Sequence, residues 1–158
     1  TNAKLLDTRK TTPLLRYFEK MAVKIGGGYN HRFGLYDMIL IKDNHIDYAG
    51  GVKNAIQNSI AYLQNEKLNL QIEIETRNLE ELETVLSIGG INRIMLDNYS
   101  IPDLQNAVKL INHRFETEAS GGITLSNIRS YAETGVDYIS VGALTHSVKS
   151  LDLSLKAC

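Results

Sequence analysis

An α/β fold built as a six-stranded parallel barrel is predicted by three features of the sequence. Short apolar runs of strand length alternate six times with other segments, each run ends in charged, hydroxyl or glycine residues, and the later runs recur at a fixed interval. Taking Leu6, Ile41, Ile74, Leu96, Glu118 and Ser140 as markers, the intervals are 35, 33, 22, 22 and 22 residues. Strand–helix repeats of this size mean parallel strands joined by right-handed crossovers. A doubly wound sheet has the same repeat but concentrates its ligand groups at one crevice. Polar residues at all six strand ends instead favour closure around a common mouth. Six units in 158 residues fall short of eight, since a (β/α)8 barrel needs about 250 residues. The expected barrel is TIM-like but incomplete.

The strands are expected at Ala3–Leu6, Met38–Ile41, Leu70–Ile74, Ile94–Leu96, Phe115–Ala119 and Tyr138–Val141, most of them β-branched-rich. Between the first two, Leu14, Leu15, Phe18, Met21, Ala22 and Ile25 repeat at helical spacing, with Thr12 and Pro13 suited to N-cap and N1. Val52, Ala55, Ile56, Ile60 and Leu63 form a second stripe. Leu79, Leu82, Val85 and Leu86 form a third, capped by Asn78 with Glu81 three residues on. Leu104, Ala107, Val108 and Ile111 follow the cap candidate Ser100, and Leu125, Ile128, Tyr131 and Ala132 end before Gly135. Each stripe is read as a helix face packed against the sheet, and residues 1–158 as one barrel domain.

The 17 Lys+Arg and 18 Asp+Glu give a net charge of −1, with 43% hydrophobic residues and a mean hydropathy of −0.17. Such a composition excludes disorder, coiled coil and a general polyanion binder, and the eight tyrosines lie singly, forming no stacking platform. No nucleic-acid partner and no membrane partner is expected. The balance hides an asymmetry: residues 1–45 carry +4 and residues 46–158 carry −5. A basic cluster in a near-neutral domain points to a local anion site. The single cysteine, Cys158, excludes an intramolecular disulfide and a cysteine metal cluster. With no apolar run of spanning length and no signal-peptide pattern, the expected compartment is cytoplasmic. The chain opens Thr1-Asn2-Ala3 without an initiator Met, so a piece of a longer chain is expected.

The basic set is Arg9, Lys10, His31, Arg32 and Lys42, placed at the first two strand ends and in the loop Gly26-Gly27-Gly28-Tyr29-Asn30-His31-Arg32. Arginine offers a planar fork for carboxylate or phosphate and lysine a point charge. Glu75 and Asp97 end the third and fourth strands. They could hold a divalent cation through water, oppose a developing positive charge, or simply pair with a neighbouring Lys or Arg. Glu73 shares a strand face with Glu75, but Glu75 stands nearer the strand end and is the one expected at the mouth. Ser120-Gly121-Gly122, read as preceding a helix, and Gly142-Ala143-Leu144-Thr145 follow the last two strands, where barrels of this type bind phosphate. His113 reads as a surface residue, and His146 as a structural hydrogen-bonder close to the last strand.

The run Asp7-Thr8-Arg9-Lys10-Thr11-Thr12-Pro13, the glycine-rich loop continuing through Phe33-Gly34-Leu35, and Leu40-Ile41-Lys42-Asp43-Asn44-His45 resemble the quinolinate phosphoribosyltransferase family. Glu73-Ile74-Glu75, Met95-Leu96-Asp97-Asn98, Glu118-Ala119-Ser120-Gly121-Gly122-Ile123 and Gly135 to Ser147 agree in order. The resemblance implies an open six-stranded α/β barrel. It implies an enzyme, nicotinate-nucleotide diphosphorylase (carboxylating). Phosphoribosyl pyrophosphate and quinolinate would give nicotinate mononucleotide, pyrophosphate and CO2, with Mg2+, in NAD synthesis. By motif, Arg9, His31, Arg32 and Lys42 look like the quinolinate cradle. Lys10, Glu75, Asp97, Ser120, Gly121 and Gly142 look like the phosphoribosyl pyrophosphate side. Lys10, Lys42, Glu75 and Asp97 are the catalytic candidates, and Glu75 and Asp97 the metal-side carboxylates, directly or through water. The family's N-terminal α/β domain, absent from residues 1–158, implies a homodimer whose site takes an Arg from the other subunit's N-terminal domain. Family members carry Gly after the Pro of the first motif where this chain has Leu14; in a first helical turn Leu is expected to be sterically allowed. A related phosphoribosyltransferase for another anionic pyridine or base, a Schiff-base aldolase using Lys42, and a non-catalytic anion-binding scaffold are the alternatives.

Overall fold

The computed structural model describes residues 1–157. Cys158, the one thiol, lies outside them. Six strands, β1 (Lys4–Leu6), β2 (Ile39–Ile41), β3 (Ile72–Thr76), β4 (Arg93–Asp97), β5 (Glu116–Ser120) and β6 (Tyr138–Ser140), form one parallel sheet in the order β1-β6-β5-β4-β3-β2. From β2 to β6 consecutive strands are neighbours, β1 pairs with β6, and β1 and β2 are the two free edges. The sheet is therefore a six-stranded barrel open at one seam. Tyr29 pairs with Leu6 on the β1 side of that seam, its N–H donating to Leu5 O and its carbonyl accepting from Asp7 N. This pairing carries the glycine-rich loop into the gap.

Alternation along the strands separates two environments. Ile41, Ile74, Ile94, Leu96, Ala119 and Ile139 face outward and form the apolar core with α3 (Val52–Asn65), α4 (Leu79–Ile88) and α5 (Ile101–Ile111). Ile56, Leu82, Val85, Leu104, Ala107 and Ile111 are the helical half of that layer, each buried. The expected caps form: Asn78 accepts the Glu81 N–H and Ser100 accepts the Asp103 N–H. The opposite face of the strands carries Glu73, Glu75, Arg93, Met95, Glu118 and Ser140, all buried.

Three expectations about helices are corrected. The first helix, α1, spans Arg16–Ile25, not the turn opened by Thr12 and Pro13. Leu14 sits at φ +67° and is fully exposed. A left-handed residue cannot occupy a helical turn, so the expectation of a permitted Leu there fails. The apolar stripe of α1 does not face the sheet either. Tyr17, Phe18, Met21 and Ile25 are exposed, and the residue α1 buries is Lys20. Periodicity marks a stripe without saying what covers it. Here α1 lies with α7 (Ala143–His146), and Lys20 reaches inward to Asp7 and to the carbonyl of His31 (3.0 Å). Finally, α6 is confined to Ile128–Ala132, with Leu125 exposed, so Ser120-Gly121-Gly122 does not run directly into a helix.

A short helix absent from the sequence reading, α2, covers Asp43–Ala49. It buries Ile46 alone and so leaves no stripe, and it is opened by His45, whose Nδ1 accepts the Lys42 N–H at 3.0 Å. Among the described residues no helix is long and apolar enough to cross a membrane.

Candidate active site

Because every strand is parallel, every C-terminal strand end opens on the same side. A cavity of about 590 Å3 lies there, and Arg9, Lys10, His31, Arg32, Lys42, Glu75, Asp97, Ser120, Gly121 and Gly142 all line it. The ten residues singled out in the sequence are thus brought together at one mouth, with His146 beside them; His113 is exposed elsewhere.

The cationic wall is held from behind. Arg32 donates from Nη1 to the Met38 carbonyl (3.1 Å). Burial, and next the charge of Arg9, pull its guanidinium below the ordinary arginine value. Arg9 keeps a buried Nε without a partner. An arginine lowered by a neighbouring guanidinium, and beside it a buried Nε donor without a partner, make a seat for an anion. Lys10 is exposed; its own N–H bonds Thr8 Oγ1 and its carbonyl accepts from Thr145 Oγ1 at 2.7 Å, tying the ends of β1 and β6 together. Lys42 is half exposed and donates to Glu75 Oε2 at 3.1 Å, so the ends of β2 and β3 meet as an ion pair.

The opposite wall is built of oxygens and glycine. Glu75 lines the cavity, whereas Glu73, two residues deeper, is fully buried below it. Asp97 accepts from Asn98 Nδ2 (2.6 Å), and Asn98 N donates to Ser120 O (2.8 Å), which fixes the β4 and β5 ends side by side. Gly121 is required here: it has φ +94°, and a Cβ would stand 2.2 Å from Asn98 Oδ1. A Cβ on Gly142 would stand 2.8 Å from His146 Nε2. Among the described residues, the His146 ring hydrogen-bonds to Ser147 Oγ alone.

Beneath the mouth lies a cluster the sequence reading did not assemble. Asp7 is fully buried and accepts from Lys20 Nζ and from the His31 N–H (2.9 Å), holding α1 and the glycine-rich loop onto β1. His31 Nδ1 accepts the Arg32 N–H at 2.7 Å, which places the ring proton on Nε2. That Nε2 lies 2.9 Å from Glu73 Oε2 and 3.6 Å from Glu118 Oε2. Desolvation lowers the imidazole pKa, against the attraction of Glu118, so the ring is neutral. Burial pushes Glu73 up to about 7. Burial and the charge of Glu73 push Glu118 up to about 8. Arg93 reaches Glu118 (3.2 Å) and Glu116 (3.0 Å) and stacks 4.0 Å over the Tyr138 ring, sealing the base. One signal pointed to these residues: Glu118 and Glu73 stand two before Ser120 and Glu75, so period-2 alternation puts all four on one face.

The arrangement matches a known family. The family described as quinolinate phosphoribosyl transferase, C-terminal domain, matches residues 1–156. The nicotinate-nucleotide pyrophosphorylase [carboxylating], chloroplastic, of Oryza sativa subsp. japonica is 53% identical over 96% of this chain and 45% of its own length. The probable nicotinate-nucleotide pyrophosphorylase [carboxylating] of Bacillus subtilis is 49% identical over 96% of this chain and 51% of its own. The crystal structure of NadC from Streptococcus pyogenes superposes with a TM-score of 0.92 at 46% identity, covering 99% of this chain and 53% of that one. The chain spans about half the length of the curated relatives it matches. It belongs to the quinolinate phosphoribosyltransferase family, as the C-terminal domain.

Proposed function

We propose that this chain is the catalytic barrel of an enzyme that transfers the phosphoribosyl group of phosphoribosyl pyrophosphate to quinolinate, with loss of pyrophosphate and CO2, to give nicotinate mononucleotide for NAD synthesis. The observation that carries this reading is the convergence of Arg9, Arg32, Lys42 and Lys10 on a cavity whose other wall holds Glu75, Asp97, Ser120 and Gly121. Arg9, His31, Arg32 and Lys42 take the two quinolinate carboxylates. Lys10, Ser120, Gly121 and Gly142 take the phosphates, where the Gly121 backbone allows close approach. The Lys42–Glu75 pair joins the two halves, so the pyridine nitrogen is held near the anomeric carbon, a proximity contribution.

As the C–O bond to pyrophosphate breaks and the N–C bond forms, positive charge builds on the ribose, and Glu75 and Asp97 face it. The positive charge on the new pyridinium nitrogen then stabilises the carbanion that forms as the adjacent carboxylate leaves as CO2. The electron pair stays on the ring carbon, which takes up a proton. Glu75, Asp97 and the Ser120 hydroxyl form an all-oxygen set that suits Mg2+, which binds through one or two carboxylates plus substrate phosphates. Mg2+, when bound, would neutralise the departing pyrophosphate; Glu75 and Asp97 would hold it directly or through water.

Further parts of the reading are a homodimer whose second subunit adds an N-terminal-domain Arg, and a cytoplasmic setting. The exposed Tyr17, Phe18, Met21 and Ile25 support a partner surface, and a chain with one cysteine suits a reducing compartment. The test is incubation of the full-length protein carrying these residues with quinolinate, phosphoribosyl pyrophosphate and Mg2+. Release of CO2 with nicotinate mononucleotide is expected, and no product would overturn the assignment. Arg32→Ala and Lys42→Ala should each weaken quinolinate binding far more than phosphoribosyl pyrophosphate binding; two unchanged titrations would break the division of the site.

A further inference from the structure

On the reading that quinolinate binds at this mouth, we infer that Arg16 and Lys20 are its positioning residues. One turn apart on α1, they staple the strand-end loop carrying Arg9 to the glycine-rich loop carrying His31 and Arg32. Residues four apart share a helix face, so both side chains reach the same gap. Neither is among the residues lining the cavity. Both therefore act through the groups that do.

The two loops need a staple because the sheet does not supply one. The Arg9 loop leaves β1 at the open seam, and the glycine-rich loop is paired with β1 there through Tyr29. Past Tyr29, among the described residues, no backbone–backbone hydrogen bond reaches residues 30–37. The loops also repel, since Arg32 is lowered first by burial and next by the charge of Arg9. Side chains must hold them in register.

Arg16 does so with its fork. Nε donates to Thr11 Oγ1 (3.1 Å) and Nη2 to the Arg9 carbonyl (3.1 Å), while Nη1 donates to the carbonyl of Phe33, next to Arg32 (3.2 Å). One planar group thus holds both loops, with donors in fixed directions that a lysine ammonium does not reproduce. Lys20 repeats the bridge one turn deeper, its Nζ joining buried Asp7 at the end of β1 to the His31 carbonyl (3.0 Å). Asp7 also accepts the His31 N–H (2.9 Å) and Asn30 Nδ2 (2.5 Å), and Asn30 Nδ2 reaches the Lys20 carbonyl (2.8 Å). The seat for the two carboxylates is formed in advance, so binding need not order it. Lys10 is held separately, its carbonyl accepting from Thr145 Oγ1 at 2.7 Å. The phosphate side therefore does not hang on α1.

The test is calorimetric titration of the full-length protein with quinolinate and, separately, with phosphoribosyl pyrophosphate and Mg2+. Arg16→Met and Lys20→Met should each weaken quinolinate binding about 10- to 100-fold, the scale of a misplacement of about 1 Å. Affinity for phosphoribosyl pyrophosphate should stay near wild type, a split that a general loss of structure would not produce. Arg16→Lys should be impaired like Arg16→Met, because it keeps the charge and loses the fork. Lys24→Met, at an exposed position one turn beyond Lys20, is the charge control and should change neither affinity. Wild-type quinolinate affinity in Arg16→Lys, equal losses for both ligands, or unchanged quinolinate binding in Arg16→Met overturns the inference. Should Lys20→Met fail to fold by circular dichroism, the two Arg16 variants decide. A wild-type protein that does not bind quinolinate breaks the functional reading itself, and the positioning role falls with it.

Discussion

Arg93 and Ile94 are adjacent in β4, both buried, and face opposite ways. Ile94 enters the layer shared with α4 and α5. Arg93 enters a barrel interior of carboxylates, an imidazole and a tyrosine. The outer face is held by area removed from water and tolerates any well-shaped apolar residue. The inner face is held by charge pairing that burial makes expensive to leave incomplete. Within one strand, then, odd positions build the site and even positions build the fold.

The largest expected effect breaks the inner face. Arg93→Met removes, among the described residues, the one arginine or lysine that reaches Glu118, along with the ion-pair partner of Glu116. Breaking a buried pair costs about 3–5 kcal/mol, and chemical denaturation above about pH 8, where Glu118 is ionised, should show a loss of that size. Combining Arg93→Met with Glu118→Gln should recover part of it, because the uncompensated charge is gone. A simply additive double mutant would show that packing, not charge, holds the interior. Next comes the outer face: Ile94→Ala should cost about 2–5 kcal/mol through lost burial and a cavity. Unlike the first, this loss should not change with pH or salt.

Much of this division is legible in the sequence. The 22-residue spacing gives the strands, and polar residues at strand ends give the mouth. What stays hidden is depth and cover. Glu73 and Glu75 share a face, yet one is sealed and the other lines the cavity, a difference set by barrel closure and by the His31 loop filling the seam. Lys20 lies off the apolar stripe of α1, yet it is the buried residue because Asp7 waits behind it. Leu125 reads as part of a helix stripe, but the turn before α6 leaves it in solvent. Period and composition identify a face; only the tertiary neighbour decides whether the face is covered.

Acid–base behaviour sharpens the contrast further. Burial raises Glu73 to about 7 and Glu118 to about 8, from an ordinary value of 4.5. The folded state then holds more protons than the unfolded chain between these limits, so this contribution to stability is full below about pH 4.5. It declines as pH rises through about 8. Ordinary carboxylates behave in the opposite sense. The difference in unfolding free energy between wild type and Glu118→Gln, followed from pH 4.5 to 8, should fall on the order of a few kcal/mol. A flat difference would mean the interior pair is solvated. Ile94→Ala run over the same range is the outer-face control.

The smallest effect lies on neither face. Leu14 is fully exposed, so its side chain gains nothing from burial, and its φ of +67° is the left-handed region that costs an L-residue roughly 1–2 kcal/mol. Glycine removes that strain, although it adds freedom to the unfolded chain worth about 0.5–1 kcal/mol. Leu14→Gly should therefore stabilise the fold by up to about 1 kcal/mol, seen as a higher urea midpoint with an unchanged slope. Leu14→Ala keeps the Cβ clash and should leave the midpoint where it is. A gain in both variants would mean that exposed apolar surface, not backbone strain, sets the effect. Leu14 would then behave as an uncovered counterpart of the outer face rather than as a misfit in the turn that leads into α1.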